Sequence, residues 1–93
     1  MSRQDFKNYA LYGVTINQPN MIEKLAGTIR RSPKLYVLLK FHYEVEREDE
    51  SRGIFYIEVK TNKKNIERLT KLYETYVEVL KVENKEIDFN ENL

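Results

Sequence analysis

The sequence has no cysteine, which excludes disulfides, thiolate metal sites and a cysteine nucleophile. It has a single histidine, His42, so a multi-histidine metal centre cannot be assembled and no cofactor is implied. No apolar run approaches the ~18 residues of a membrane-spanning helix. The opening MSRQDFKNYA lacks the apolar stretch of a signal peptide. The expectation is a cytoplasmic protein that does not engage membranes. An excess of one charge is also missing: 16 Lys and Arg face 15 Asp and Glu, a net charge of +1. A protein whose main task is gripping nucleic acid usually carries a large basic excess.

What is present is a globular composition, 41% hydrophobic and 33% charged, too apolar and aromatic for a disordered chain. The 93 residues make one domain. A chain of this size buries only roughly 60–65% of the surface its unfolded form exposes, so pairing with a second copy is a natural way to thicken the core. The expected organisation is a flexible N-terminus over 1–7, a folded domain over 8–83 and a flexible acidic tail over 84–93.

Tyr9 to Ile16 are dense in aromatic and β-branched residues and read as a first strand. Asn17-Gln18-Pro19-Asn20 is turn chemistry, and Ile22, Leu25, Ala26 and Ile29 recur at the spacing of an amphipathic helix. Ser32-Pro33 ends that helix. A long second strand follows from Leu35 to Arg47, with Leu35, Val37, Leu39, Phe41, Tyr43 and Val45 expected to face the core. A polar hairpin over 48–53 leads to a third strand, Ile54 to Lys60. Thr61 or Asn62 can cap a second helix, whose apolar face is Ile66, Leu69, Tyr73 and Tyr76. Tyr76 to Val82 reads as strand four. The order β-α-β-β-α-β predicts an α+β, ferredoxin-like sandwich: a four-stranded antiparallel sheet with two helices on one face.

The segment from Asn17 to Gly27 (NQPNMIEKLAG) resembles the signature that opens ACT domains: Asn, any residue, Pro, Gly, then an apolar helix start and a later Gly. Ser51-Arg52, Ile66-Glu67-Arg68-Leu69 and Val77-Glu78-Val79-Leu80-Lys81-Val82 extend the resemblance over about Leu11 to Glu83. Within that family the chain is most similar to the small regulatory subunit of acetolactate synthase. The resemblance implies a non-catalytic, amino-acid-sensing homodimer. It also implies allosteric action on a large thiamine-diphosphate-dependent synthase of branched-chain amino acid biosynthesis.

Asn17, Pro19, Asn20, Met21 and Ile22 are the implied effector contacts, with backbone N–H groups at the helix start holding a carboxylate. Two departures stand out. Asn20 replaces the family's glycine, and Leu35 stands where the partner chain of the family supplies a polar ligand residue. An apolar side chain there cannot bond the charged ends of an amino acid, so the effector site is expected to be altered or lost.

A second resemblance competes. Arg52 to Val59 is similar in part to the RNP1 segment of RNA-recognition motifs, and Leu11 to Ile16 in part to RNP2. It implies base stacking on Tyr12 and Tyr56 with Arg52 on phosphate. Ile54 and Phe55 depart from the RNP1 pattern. Independently of either family, Tyr36, Leu38, Ile54 and Tyr56 are expected on the sheet face away from the helices, where an apolar patch marks a dimer or partner surface. His42 and the acidic run Glu44 to Glu50 read as solvated positions.

Overall fold

The computed structural model describes residues 5–87. Six elements follow in order: β1 (Lys7–Ile16), α1 (Met21–Arg30), β2 (Val37–Val45), β3 (Arg52–Thr61), α2 (Lys63–Glu74) and β4 (Val79–Ile87). The sheet order is β2-β3-β1-β4, and every neighbouring pair is antiparallel. Both helices lie on one face, giving the ferredoxin-like arrangement. No helix among the described residues is long and apolar enough to cross a membrane.

Alternation explains the sheet. Tyr9, Leu11 and Thr15 of β1 and Phe55, Ile57 and Val59 of β3 are buried beneath the helices. The helices return Met21, Leu25 and Ile29 from α1 and Ile66, Leu69 and Tyr73 from α2 to one continuous core. Burying each large apolar side chain contributes about 1.5–3 kcal/mol. Tyr73 is the keystone of this layer. Its ring meets Phe55 edge-on at 5.9 Å, and its hydroxyl donates to the Leu25 carbonyl of α1 at 2.5 Å. Burial pushes that hydroxyl well above its ordinary pKa, so it remains a donor. The hydroxyls of Thr28 and Tyr76 meet at 2.7 Å and tie α1 to the turn after α2.

Two glycines allow close approaches. A Cβ on Gly13 would overlap the Lys81 carbonyl of β4, so any side chain there would push the two strands apart. A Cβ on Gly53 would strike the Tyr43 hydroxyl. Tyr43 crosses that gap from β2 to reach the Thr15 hydroxyl of β1 at 3.1 Å.

Several expectations are corrected. β2 carries a bulge between Leu38 and Lys40. The extra residue, Leu39, shifts the alternation, so Leu38 pairs with Val59 and packs against the core while Leu39 is 42% exposed. Tyr36, also expected on the open face, is buried, and its hydroxyl donates to the Asn65 carbonyl of α2 at 3.1 Å. β1 begins at Lys7, two residues before the expected start. Tyr76 lies in the turn before β4, where its ring packs on Tyr73 at 5.9 Å. β4 continues to Ile87, so residues 84–87 are strand where a flexible tail is expected. The parts of the two flexible segments at 1–4 and 88–93 lie outside the described residues.

Candidate functional site

Three loops meet at one end of the sheet. The Ile16 N–H donates to the Glu78 carbonyl at 2.8 Å, and the Asn17 N–H donates to the Ser51 carbonyl at 2.8 Å. The Asn17 side-chain amide then donates to the Glu50 carbonyl at 3.0 Å. Its donor group thus braces the β2–β3 hairpin. Pro19 and Asn20 are exposed, and Asn20 is the only non-glycine among the described residues with a left-handed backbone, at φ 77°. That conformation turns the chain sharply into α1, and the Asn20 side chain caps none of the helix N–H groups. The Lys24 N–H closes the first turn on the Asn20 carbonyl at 2.9 Å. Met21 is buried as an anchor, whereas Ile22 is 49% exposed beside the bend and Ile16 is 36% exposed.

Below the bend, the Lys24 ammonium meets the Glu78 carboxylate at 2.9 Å and lies 4.6 Å from the Tyr76 ring centre. The hydrogen bond from Lys24 is the main reason the Glu78 carboxyl sits below the usual carboxylate range.

The remaining implied contact is elsewhere. Leu35 is half-buried against the core, and its carbonyl accepts from the Thr61 hydroxyl at 2.6 Å. Thr61 pairs with Lys7, and Arg52 pairs with Ile16, so Leu35 and the bend mark opposite ends of the sheet. Asn17, Pro19, Asn20 and Ile22 come together within one chain; Leu35 does not join them.

The face away from the helices is the second candidate. Strand register sets its side chains in rows. One row reads His42, Tyr56, Tyr12, Glu83 across β2, β3, β1 and β4; the next reads Glu44, Ile54, Val14, Lys81. On the other side of the tyrosine row stand Lys40, Glu58, Ala10 and Lys85. A shallow groove of about 470 Å³ runs over Tyr12, Val14, Ile54 and Tyr56, flanked by Lys81 and Lys85.

The structure therefore brings Tyr12 and Tyr56 side by side. Lys85 stands 6.0 Å from the Tyr12 ring centre, and Lys40 stands 5.7 Å from that of Tyr56. The Tyr56 hydroxyl donates to Glu58 at 2.9 Å; partial burial and this bond raise its pKa. Arg52 is paired with Asp49 at 3.4 Å, whose carboxyl is held low chiefly by hydrogen bonds from Ser51. Among the described residues no group of three or more His, Asp or Glu side chains could hold a metal ion.

These observations place the chain among known folds. It is similar in structure to the uncharacterized protein TM1266 from Thermotoga maritima, with a TM-score of 0.69, 17% identity and coverage of 89% of this chain and 99% of that one. It is also similar to the C-terminal domain of the MgtC protein from Mycobacterium tuberculosis, with a TM-score of 0.72, 11% identity and 96% of each chain covered. At these identities the likeness shows the ferredoxin-like fold alone. No family model matches the chain, and no curated protein matches it.

The charged flanks of the open face are the feature of this surface that sequence reasoning passed over. Their signal was available in β4, where Lys81, Glu83 and Lys85 alternate with Val82 and Asn84.

Proposed function

We propose that the chain is a non-catalytic regulatory domain of the ACT type, resembling the small regulatory subunit of acetolactate synthase. In this reading it holds a small amino acid at the β1–α1 bend as a homodimer. It thereby biases a thiamine-diphosphate-dependent catalytic partner between two states. The observation that carries the reading is Asn20. It stands where the family has glycine and adopts a left-handed backbone, and its side chain leaves the helix start uncapped. The Met21 N–H already donates to the Gln18 carbonyl at 3.3 Å, so an effector carboxylate would accept from the Ile22 and Glu23 N–H groups, with the helix dipole favouring its charge. The exposed Ile16 and Ile22 would receive a branched apolar side chain.

Leu35 supplies no polar contact, so recognition falls on backbone donors, and the bound amino acid is selected by its carboxylate and its apolar end. Coupling of effector to partner would amount to about 1–3 kcal/mol. The test is thermal unfolding of the full chain with valine, leucine or isoleucine. At a hundredfold excess over the dissociation constant, a bound effector adds about 2.7 kcal/mol. The same chain should co-purify with a large thiamine-dependent synthase. An unchanged melting curve at millimolar amino acid, with no synthase retained, would remove the proposal.

A further inference from the structure

We infer that the open face of the sheet is the docking surface for a second copy of this chain, face to face about a twofold axis running along the strands. This deepens the regulatory reading by naming the surface of its dimer. A twofold rotation along the strands lays β2 of one copy over β4 of the other and keeps each row level. Glu44 then meets Lys81, and His42 meets Glu83, each pair occurring twice. In the middle, Ile54 lies over Val14 and Tyr56 over Tyr12. The rows that produce these pairings follow directly from the strand register.

Charge selects this axis over its alternative. A twofold axis across the strands would match Glu44 with Lys40, but it would set Lys81 on Lys85, Glu83 on Glu83 and His42 on His42, and it would lose both His42–Glu83 contacts. The chosen axis leaves one kind of like-charged contact, Lys40 with Lys85, which also occurs twice at the rim, where Lys85 has Glu58 of the opposite copy one strand away. Strand spacing and rise give four strands of this length roughly 600 Å² per copy. Two such faces reach the size needed for a specific though modest interface.

The same face suits nucleic acid less well. Glu44, Glu58 and Glu83 stand on it beside Lys40, Lys81 and Lys85, so it carries no basic excess to hold a phosphate backbone.

Sedimentation equilibrium of the full chain at micromolar concentration tests the inference. The expected mass is twice the chain's 11.2 kDa. Ile54→Lys should dissociate the dimer while leaving the far-ultraviolet circular dichroism unchanged. Glu44→Lys and Lys81→Glu should each raise the dissociation constant about tenfold or more through like-charge contact. The double variant should recover most of that loss, a result that a dimer built on any other surface would not produce. A monomer throughout, a dimer indifferent to Ile54→Lys, or single effects that merely add would each overturn the inference. So would salt-sensitive binding of a single-stranded oligonucleotide by a monomeric chain, lost in Tyr56→Ala, which would give the face to RNA. Dimer mass and the response to amino acids are separate readouts, so failure of one is distinguishable from failure of the other.

Discussion

Each helix of this domain begins at an asparagine, and the two asparagines are used in opposite ways. Asn62 before α2 has an extended backbone, φ −101° and ψ 171°, and its side chain accepts the Asn65 N–H at 2.8 Å. That helix start is closed by its own sequence. Asn20 before α1 has φ 77° and ψ 2°, and its side chain makes no capping bond. Its contribution is a backbone conformation that most residues avoid. Residue type at a helix start therefore does not reveal its use. One start is closed by its own side chain, and the other is left without a side-chain cap.

Four experiments probe that contrast. The largest effect is expected from Tyr73→Ala, which removes the side chain joining the helices. It should cost about 3–5 kcal/mol and unsettle both helix starts together, read by urea unfolding. Next is Asn20→Val, since a β-branched residue resists the left-handed turn. A loss of about 1–2 kcal/mol is expected, whereas Asn20→Gly should change stability by less than about 0.5 kcal/mol. An equal loss with valine and glycine would mean that the side chain of Asn20, and not its backbone, does the work.

Asn62→Ala should cost about 1 kcal/mol through the lost cap, and hydrogen exchange at Asn65 should accelerate with it. The smallest effect concerns Glu78. Lys24 holds its folded pKa below the ordinary carboxylate value. The stabilisation is therefore complete above the ordinary carboxylate range and fades as pH falls through the depressed value. In Lys24→Met, the Glu78 titration followed by NMR should move up toward the ordinary range, with a backbone hydrogen bond still lowering it, and acid unfolding should begin at slightly higher pH.

The fold was legible because its elements announce themselves by periodicity. The helix stripe through Leu25 and Ile29 and the alternation through Phe55, Ile57 and Val59 lead directly to buried positions. The bulge at Leu39 was not legible: a run of apolar residues from Leu35 to Leu39 alternates equally well in either phase, and only the pairing with β3 decides. That ambiguity moved Tyr36 and Leu38 from the expected open face into the core. At the bend, the sequence motif identifies the residues but not their engagements. Asn17 spends its side-chain donor on the Glu50 carbonyl, a contact 33 residues away that no local pattern encodes. The pairing of Tyr12 with Tyr56 was half visible, since each strand could be read, but their juxtaposition depends on register.

The tyrosine that leans over Gly53 has a consequence for how the sheet comes apart. β2 is an edge strand, and edge strands ordinarily fray before their neighbours. Here Tyr43 reaches past β3 and hooks onto Thr15, two strands inward. Peeling the margin of the sheet therefore means unfastening its centre as well, so the outermost ribbon should be released together with the middle of the fold and not ahead of it.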